Sequence, residues 1–255
     1  MMAAVRTARP LVHHITNYVT VNDCANICIC AGGAPVMTDA AEDVPAMAAL
    51  ASAVVLNIGT LNERTVASMA LAGRAANQAG APVVLDPVGV GATAYRTAAA
   101  ERLLREVKIA VIKGNAGEIS VLAGLGGKVR GVDSVDAGDP ADAARKLAQR
   151  TGAVVAATGP TDYVSDGRQT LTLHNGCGLL EKVSGTGCMV ASVVGCYVGA
   201  CGASAETVAA AISVFNIAAE MAAAEADGPG TFRPRLMDAM DALTAAEVEE
   251  RLRTE

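Results

Sequence analysis

Val83-Val84-Leu85-Asp86-Pro87-Val88-Gly89-Val90-Gly91-Ala92-Thr93 is an apolar run that ends on a carboxylate and breaks into a glycine-rich turn. Uninterrupted apolar strands belong in parallel sheets, where helices cover both faces. Ala53-Val54-Val55-Leu56-Asn57-Ile58-Gly59, Ile109-Ala110-Val111-Ile112-Lys113-Gly114, Ala153-Val154-Val155-Ala156-Ala157 and the shorter Ala34-Pro35-Val36-Met37 repeat the pattern. Between them lie segments with helical spacing, at about 23–31, 44–52, 62–79, 95–106, from 115 onward, and 139–150. This alternation predicts an α/β fold, a mainly parallel sheet with helices on both faces. No Pro/Ser-rich linker interrupts the rhythm, so residues 1–255 are read as a single domain.

The remaining stretches are read from that frame. Leu11 to Val21 mixes β-formers with polar side chains and is expected to be an approach loop. Residues 126–140, rich in Gly and Asp, read as a surface connection. Asp162 to Ser165 and Arg168 to His174, split by Asp166-Gly167, read as an antiparallel hairpin, with His174 a strand residue beside the site rather than a catalyst. Three helices should close the chain, at about 187–200, 205–226 and 235–253, with the loop Gly228-Pro229-Gly230-Thr231-Phe232 lining the site.

Composition narrows the classes of function. Hydrophobic residues make up 52% of the chain but aromatics only 2%, so the core is aliphatic. A net charge of −6, with no Lys/Arg block and few rings to stack on bases, argues against a nucleic-acid surface. Seven cysteines in apolar contexts suit reduced thiols, and Cys24, Cys28 and Cys30 lack the second pair that a zinc site needs. The N-terminus has no signal-like apolar run, and 189–205 is too short and glycine-rich to span a bilayer. A soluble, cytoplasmic protein without a membrane partner is expected.

Chemistry is expected at the carboxyl ends of the strands, where ligands bind in open α/β sheets. Val183-Ser184-Gly185-Thr186-Gly187-Cys188 opens directly into an apolar helix. Glycines there admit an anion close to the backbone N–H groups, and the positive end of the helix dipole faces the same point. Cys188 in that first turn is read either as a thiol tuned toward thiolate or as a small buried hydrophobe. Asp86 is either an acid at the site or a turn cap. Asn115 and Glu118, three apart, form either a capping box or an oxygen set for hydrated Mg²⁺. Thr158 places a hydroxyl at a further strand end.

Together these blocks resemble the hydroxyethylthiazole kinases, a branch of the ribokinase-like superfamily, over nearly the whole chain. The resemblance is carried by Ile15-Thr16-Asn17-Tyr18-Val19 with Ala25-Asn26, Pro35-Val36-Met37, 86–93, Gly114-Asn115-Ala116-Gly117-Glu118-Ile119, Ser184-Gly185-Thr186-Gly187-Cys188 and 228–232. It implies a ribokinase-like three-layer αβα fold and phosphorylation of hydroxyethylthiazole by ATP with Mg²⁺. Cys188 stands where the superfamily usually has an aspartate base. By the same resemblance Asn17, Met37 and Gly185 bind substrate, and Lys113, Thr158, Gly185, Thr186 and Gly187 bind the nucleotide. Asp86, Asn115 and Glu118 organise the metal. Lys113 replaces an arginine common in the family, which loses a bidentate fork. A homotrimer with sites between subunits is also implied. A kinase for a pyrimidine or pyridine alcohol and a non-catalytic sensor are the alternative readings.

Overall fold

The computed structural model describes residues 1–126, 128–130, 133–135 and 138–255. A short helix, α1 (Met2–Ala8), leads to β1 (Leu11–Ile15), α2 (Val21–Cys30), β2 (Ala34–Met37), α3 (Val44–Leu50), β3 (Ala53–Asn57) and α4 (Glu63–Ala79). Next come β4 (Val83–Asp86), α5 (Ala94–Glu106), β5 (Val111–Asn115), α6 (Ala116–Ala123) and a small ribbon of β6 (Lys128–Arg130) with β7 (Asp133–Val135). The chain continues through α7 (Pro140–Thr151), β8 (Val154–Thr158), β9 (Asp162–Ser165) and β10 (Thr170–Leu173). It closes with α8 (Thr186–Cys201), α9 (Ala205–Glu225), α10 (Pro229–Ala242) and α11 (Ala245–Arg251).

The main sheet runs β10-β9-β8-β5-β4-β3-β1-β2, parallel from β2 to β8, with the β9–β10 hairpin antiparallel at one edge. Alternation along each strand sorts the core into two layers. Ala53 and Val55 join a cluster with α1, α2, α8, α9 and α10, while Val54 and Leu56 join one with α3 to α7. The expected three-layer αβα architecture is therefore present. Helix ends follow local chemistry: Asn62 and Thr65 form a capping box on α4, which ends on Gly80 in the left-handed region.

Two features of this packing place the site. Strand β1 lies between β2 and β3, and the chain leaves β1 for α2 on one face but leaves β3 for α4 on the other. Loops parting in opposite directions open a crevice at a topological switch point. On the α2 face, α8 lies close against the strands because Gly195 has no side chain. A Cβ there would fall 2.8 Å from Val55 Cγ2 and 3.0 Å from Val12 Cγ1. That close seat delivers the first turn of α8 to the strand ends.

Several expectations are corrected. Leu11 to Ile15 is not a loop but an interior strand, and its histidines bond to distant parts of the chain: His13 Nε2 lies 2.9 Å from Thr38 O, and His14 Nε2 lies 3.1 Å from Ser192 Oγ. Burial pushes the His14 imidazole down to about 4, so both its strand and its helix neighbour see a neutral ring. The last predicted helix is two, α10 and α11, broken at Leu243. Residues 228–232 are not an open loop: Pro229 starts α10, and Phe232 on its first turn is fully buried. His174 leaves β10 to bond Arg253 O through its N–H, at the chain's C-terminal segment. The surface connection read at 126–140 falls partly outside the described residues.

Helix α9 is long and apolar enough to cross a membrane by length and composition. Val208, Ile212, Phe215 and Ile217 on it are buried in the protein core.

Candidate active site

The strand ends converge as the sequence implies. Asn57 at the end of β3 is in register with Asp86 at the end of β4, and Asn115 at the end of β5 with Thr158 at the end of β8. Above them, α8 starts at Gly185 with φ 93°, a conformation costly to any residue with a Cβ. A Cβ on Gly185 would also lie 2.4 Å from Thr20 Cγ2. The first bond of the helix ladder runs from the Met189 N–H to Gly185 O at 2.9 Å, so the amides of Thr186, Gly187 and Cys188 precede the ladder. A Cβ on Gly187 would fall 3.1 Å from Lys113 Nζ, so the ammonium lies directly under this turn. The Thr186 hydroxyl donates to Leu180 O at 2.9 Å, which leaves only its backbone for an anion.

Cys188 is held from the strand side. Its Sγ accepts from Asn17 Nδ2 at 3.3 Å and from Asn57 Nδ2 at 3.2 Å. Asn17 is itself fixed, its Oδ1 accepting from the N–H and hydroxyl of Thr20, both at 3.1 Å. Burial pushes the Cys188 thiol up to about 11, with Asp86 adding to the effect and Lys113 opposing it. The thiolate expected from the helix dipole is therefore not the resting state. Desolvation outweighs the dipole here, since the sulfur is almost wholly enclosed.

Asp86, Lys113 and Glu118 form a buried charged group. Lys113 Nζ lies 3.7 Å from Asp86 Oδ1. Burial works against the Lys113 ammonium, but Asp86 and Glu118 outweigh it and keep the lysine charged. Burial pushes Asp86 above the usual carboxylate range against the pull of Lys113. Glu118 is pushed up to about 7, by burial first and then by Asp86. The capping-box alternative for α6 is realised: Asn115 Oδ1 accepts from the Glu118 N–H at 2.9 Å, and Glu118 Oε2 accepts from the Asn115 N–H at 2.8 Å. Glu118 Oε1 accepts from the Gly89 N–H at 2.7 Å, which ties α6 to the turn after β4. Among the described residues no cluster of three His, Cys, Asp or Glu side chains forms a metal cage. The donors present are all oxygens, and Asp86 Oδ1 is buried without a hydrogen-bond partner, which fits a hydrated hard cation rather than a dehydrated one.

In the crevice, a cavity of about 370 Å³ is lined by Ile15, Met37, Asn57, Leu61 and Met69 among others. Met37 falls where the sequence reading placed it, at the carboxyl end of β2. Thr158 stands apart from Cys188 across two strands, its hydroxyl donating to Gly114 O at 3.2 Å. The seven cysteines are free; Cys24 and Cys28 are core residues, with Cys28 Sγ 3.3 Å from Cys196 Sγ.

Two site residues escaped the sequence reading. Asn57 ends an apolar strand at the register of Asp86, and that position was its available signal. Asp162, pushed up to about 6 by burial, accepts from the Gly159 N–H at 2.9 Å and from Asn216 Nδ2 at 2.7 Å. It braces the turn after Thr158. Its signal was weak, an acid opening a hairpin.

The open αβα sheet, with its antiparallel hairpin at one edge and its crevice at the strand ends, has the fold of the ribokinase-like class. In agreement, a ribokinase-like superfamily protein from Enterococcus faecalis shares this fold, with TM-score 0.67 at 11% identity over 94% of both chains. The chain belongs to the hydroxyethylthiazole kinase family, whose model matches residues 2–246. It is 55% identical to the hydroxyethylthiazole kinase of Methanoculleus marisnigri over 98% of this chain and 92% of that one. The structure of the Pyrococcus horikoshii hydroxyethylthiazole kinase superposes with TM-score 0.92 at 40% identity, covering 100% of this chain and 96% of that one.

Proposed function

We infer that this protein transfers the γ-phosphoryl group of ATP to the hydroxyl of 4-methyl-5-(2-hydroxyethyl)thiazole. The observation that carries this reading is the placement of Cys188, held by Asn17 and Asn57 at the crevice with Lys113 beneath the same helix turn. The thiazole ring occupies the cavity against Met37, with Gly185 and Asn17 closing it toward Cys188. The nucleotide lies on the other side, along Lys113 and Thr158, its terminal phosphate under the amides of Gly185 to Cys188.

Phosphoryl transfer asks mainly for alignment and for neutralisation of charge on the transferring oxygens. The amides of the α8 turn and the Lys113 ammonium face that charge. Asp86, Asn115 and Glu118 would hold a hydrated Mg²⁺, which would screen the charge of the phosphates. Cys188 receives the hydrogen bond of the attacking hydroxyl and fixes its direction. Burial disfavours the thiolate in the resting protein, so the sulfur aligns the alcohol in most molecules and acts as base in the ionised fraction.

The cavity rim supports the homotrimeric reading: Tyr18 is 80% exposed and Val19 62% exposed beside it, apolar surface that a neighbouring subunit would cover. The free thiols support a cytoplasmic setting. The test is ADP release with Mg-ATP and hydroxyethylthiazole, run against hydroxymethylpyrimidine and pyridoxal as competing alcohols. Turnover with the thiazole and little with the others is expected; binding without ADP release would leave a sensor.

A further inference from the structure

Asn57 contacts both the sulfur and the acid of the site. Its Nδ2 donates to Asp86 Oδ2 at 2.6 Å and to Cys188 Sγ at 3.2 Å. Its Oδ1 accepts from the Gly59 N–H at 2.9 Å and from Asn17 Nδ2 at 3.0 Å. Two donors and two lone pairs are all a carboxamide has, so every one is engaged. The residue is 2% exposed, and two N–H groups aimed at its oxygen forbid a flipped amide. Its orientation is thus set from behind, by the turn at Gly59 and by Asn17, while its donor side faces the chemistry.

We propose that Asn57 is a positioning residue for phosphoryl transfer, its carboxamide holding the Cys188 sulfur toward the substrate hydroxyl and the Asp86 carboxylate toward the phosphates at one fixed separation. Both neighbours carry electron-rich atoms that repel each other when ionised; the NH₂ group between them is a shared donor. Aspartate at this position would keep an oxygen for Gly59 and Asn17 but would turn a second oxygen toward the sulfur and Asp86. Near-isosteric replacement therefore separates the donor role from the turn-forming one. The proposal rests on the reading that Cys188 faces the hydroxyl.

The test is a double-mutant cycle on the full-length protein, with kcat and both KM values measured for wild type, Asn57→Ala, Asn57→Asp, Cys188→Ala and the Asn57→Ala/Cys188→Ala pair. Each Asn57 variant is expected to lower kcat by about 10- to 100-fold with thiazole KM within about threefold, and the cost of Asn57→Ala to shrink by at least about threefold once Cys188 is gone, what remains being its hold on Asp86. A residue that merely shapes the strand end would cost the same in both backgrounds, and that result overturns the proposal. So would wild-type turnover in Asn57→Asp, which would leave only the Gly59 turn. If Asn57→Ala does not fold, Asn57→Asp and Asn57→Asp/Cys188→Ala carry the same cycle. Slow Cys188→Ala with a normal Asn57→Ala removes the Asn57 role alone, whereas normal Cys188→Ala removes the reading of the sulfur and the Asn57 role with it.

Discussion

At the scale of single residues, the sulfur of Cys188 carries the most specific expectation. Cys188→Ala should lower kcat about 100-fold, the usual loss for a positioned acid–base group, with a smaller change in the KM for ATP. Because burial pushes the thiol up to about 11, the ionised fraction at neutral pH is small and grows with pH. Wild-type kcat/KM should therefore rise between pH 7 and 9, and the profile of Cys188→Ala should lack that rise; parallel profiles would confine the sulfur to alignment. Cys188→Asp should keep substantial turnover, since Asn17 and Asn57 would donate to a carboxylate as they do to sulfur. Gly185→Ala is different in kind. Its φ of 93° and the Thr20 methyl 2.4 Å from the added Cβ should cost at least about 1–3 kcal/mol of stability in denaturant unfolding, with loss of turnover.

At the scale of elements, the N-terminus of α6 joins folding to the site. Glu118 accepts from Asn115 and Gly89 at once, so one carboxylate caps its own helix and anchors the turn after β4. Its folded pKa of about 7 lies above the ordinary 4.5. Below 4.5 it is neutral folded and unfolded; between 4.5 and 7 the unfolded chain ionises first, so stability falls as pH rises. The full penalty, on the order of 3 kcal/mol, holds above 7. Measured without nucleotide or Mg²⁺, Glu118→Gln should flatten that decline, and an unchanged slope would refute it. In the assay the same variant should need more Mg²⁺; an identical Mg²⁺ titration would leave Glu118 as a helix cap only.

At the scale of the whole molecule, a core with almost no aromatic rings depends on the few it has. Phe215 on α9 is fully buried in the cluster that seats α8 on the sheet. Phe215→Ala should lower stability by about 3–5 kcal/mol in chemical denaturation and loosen the seat of α8. Sedimentation should give a trimer, dissociated or weakened by a charge at Tyr18, whose ring stands at the cavity rim.

What the sequence determined by itself is what short-range chemistry encodes. Continuous apolar runs such as 53–57 and 83–86 place the parallel strands, Asn62 and Gly80 mark the limits of α4, and glycines at 185 and 187 announce the turn that opens α8. The order of the strands, the interior place of β1 with its two buried histidines, and the division of α10 from α11 were decided by tertiary structure. So were the roles of Asn57 and Asp162, and the protonation of Cys188 and Glu118. Each of these depends on partners far along the chain: Asn57 meets Cys188 131 residues away, and its hydrogen bonds exist only once β3, β4 and α8 have packed. Desolvation of a thiol or a carboxylate likewise belongs to the folded surroundings and not to the residue, which is why the helix dipole alone pointed to a thiolate that burial does not allow.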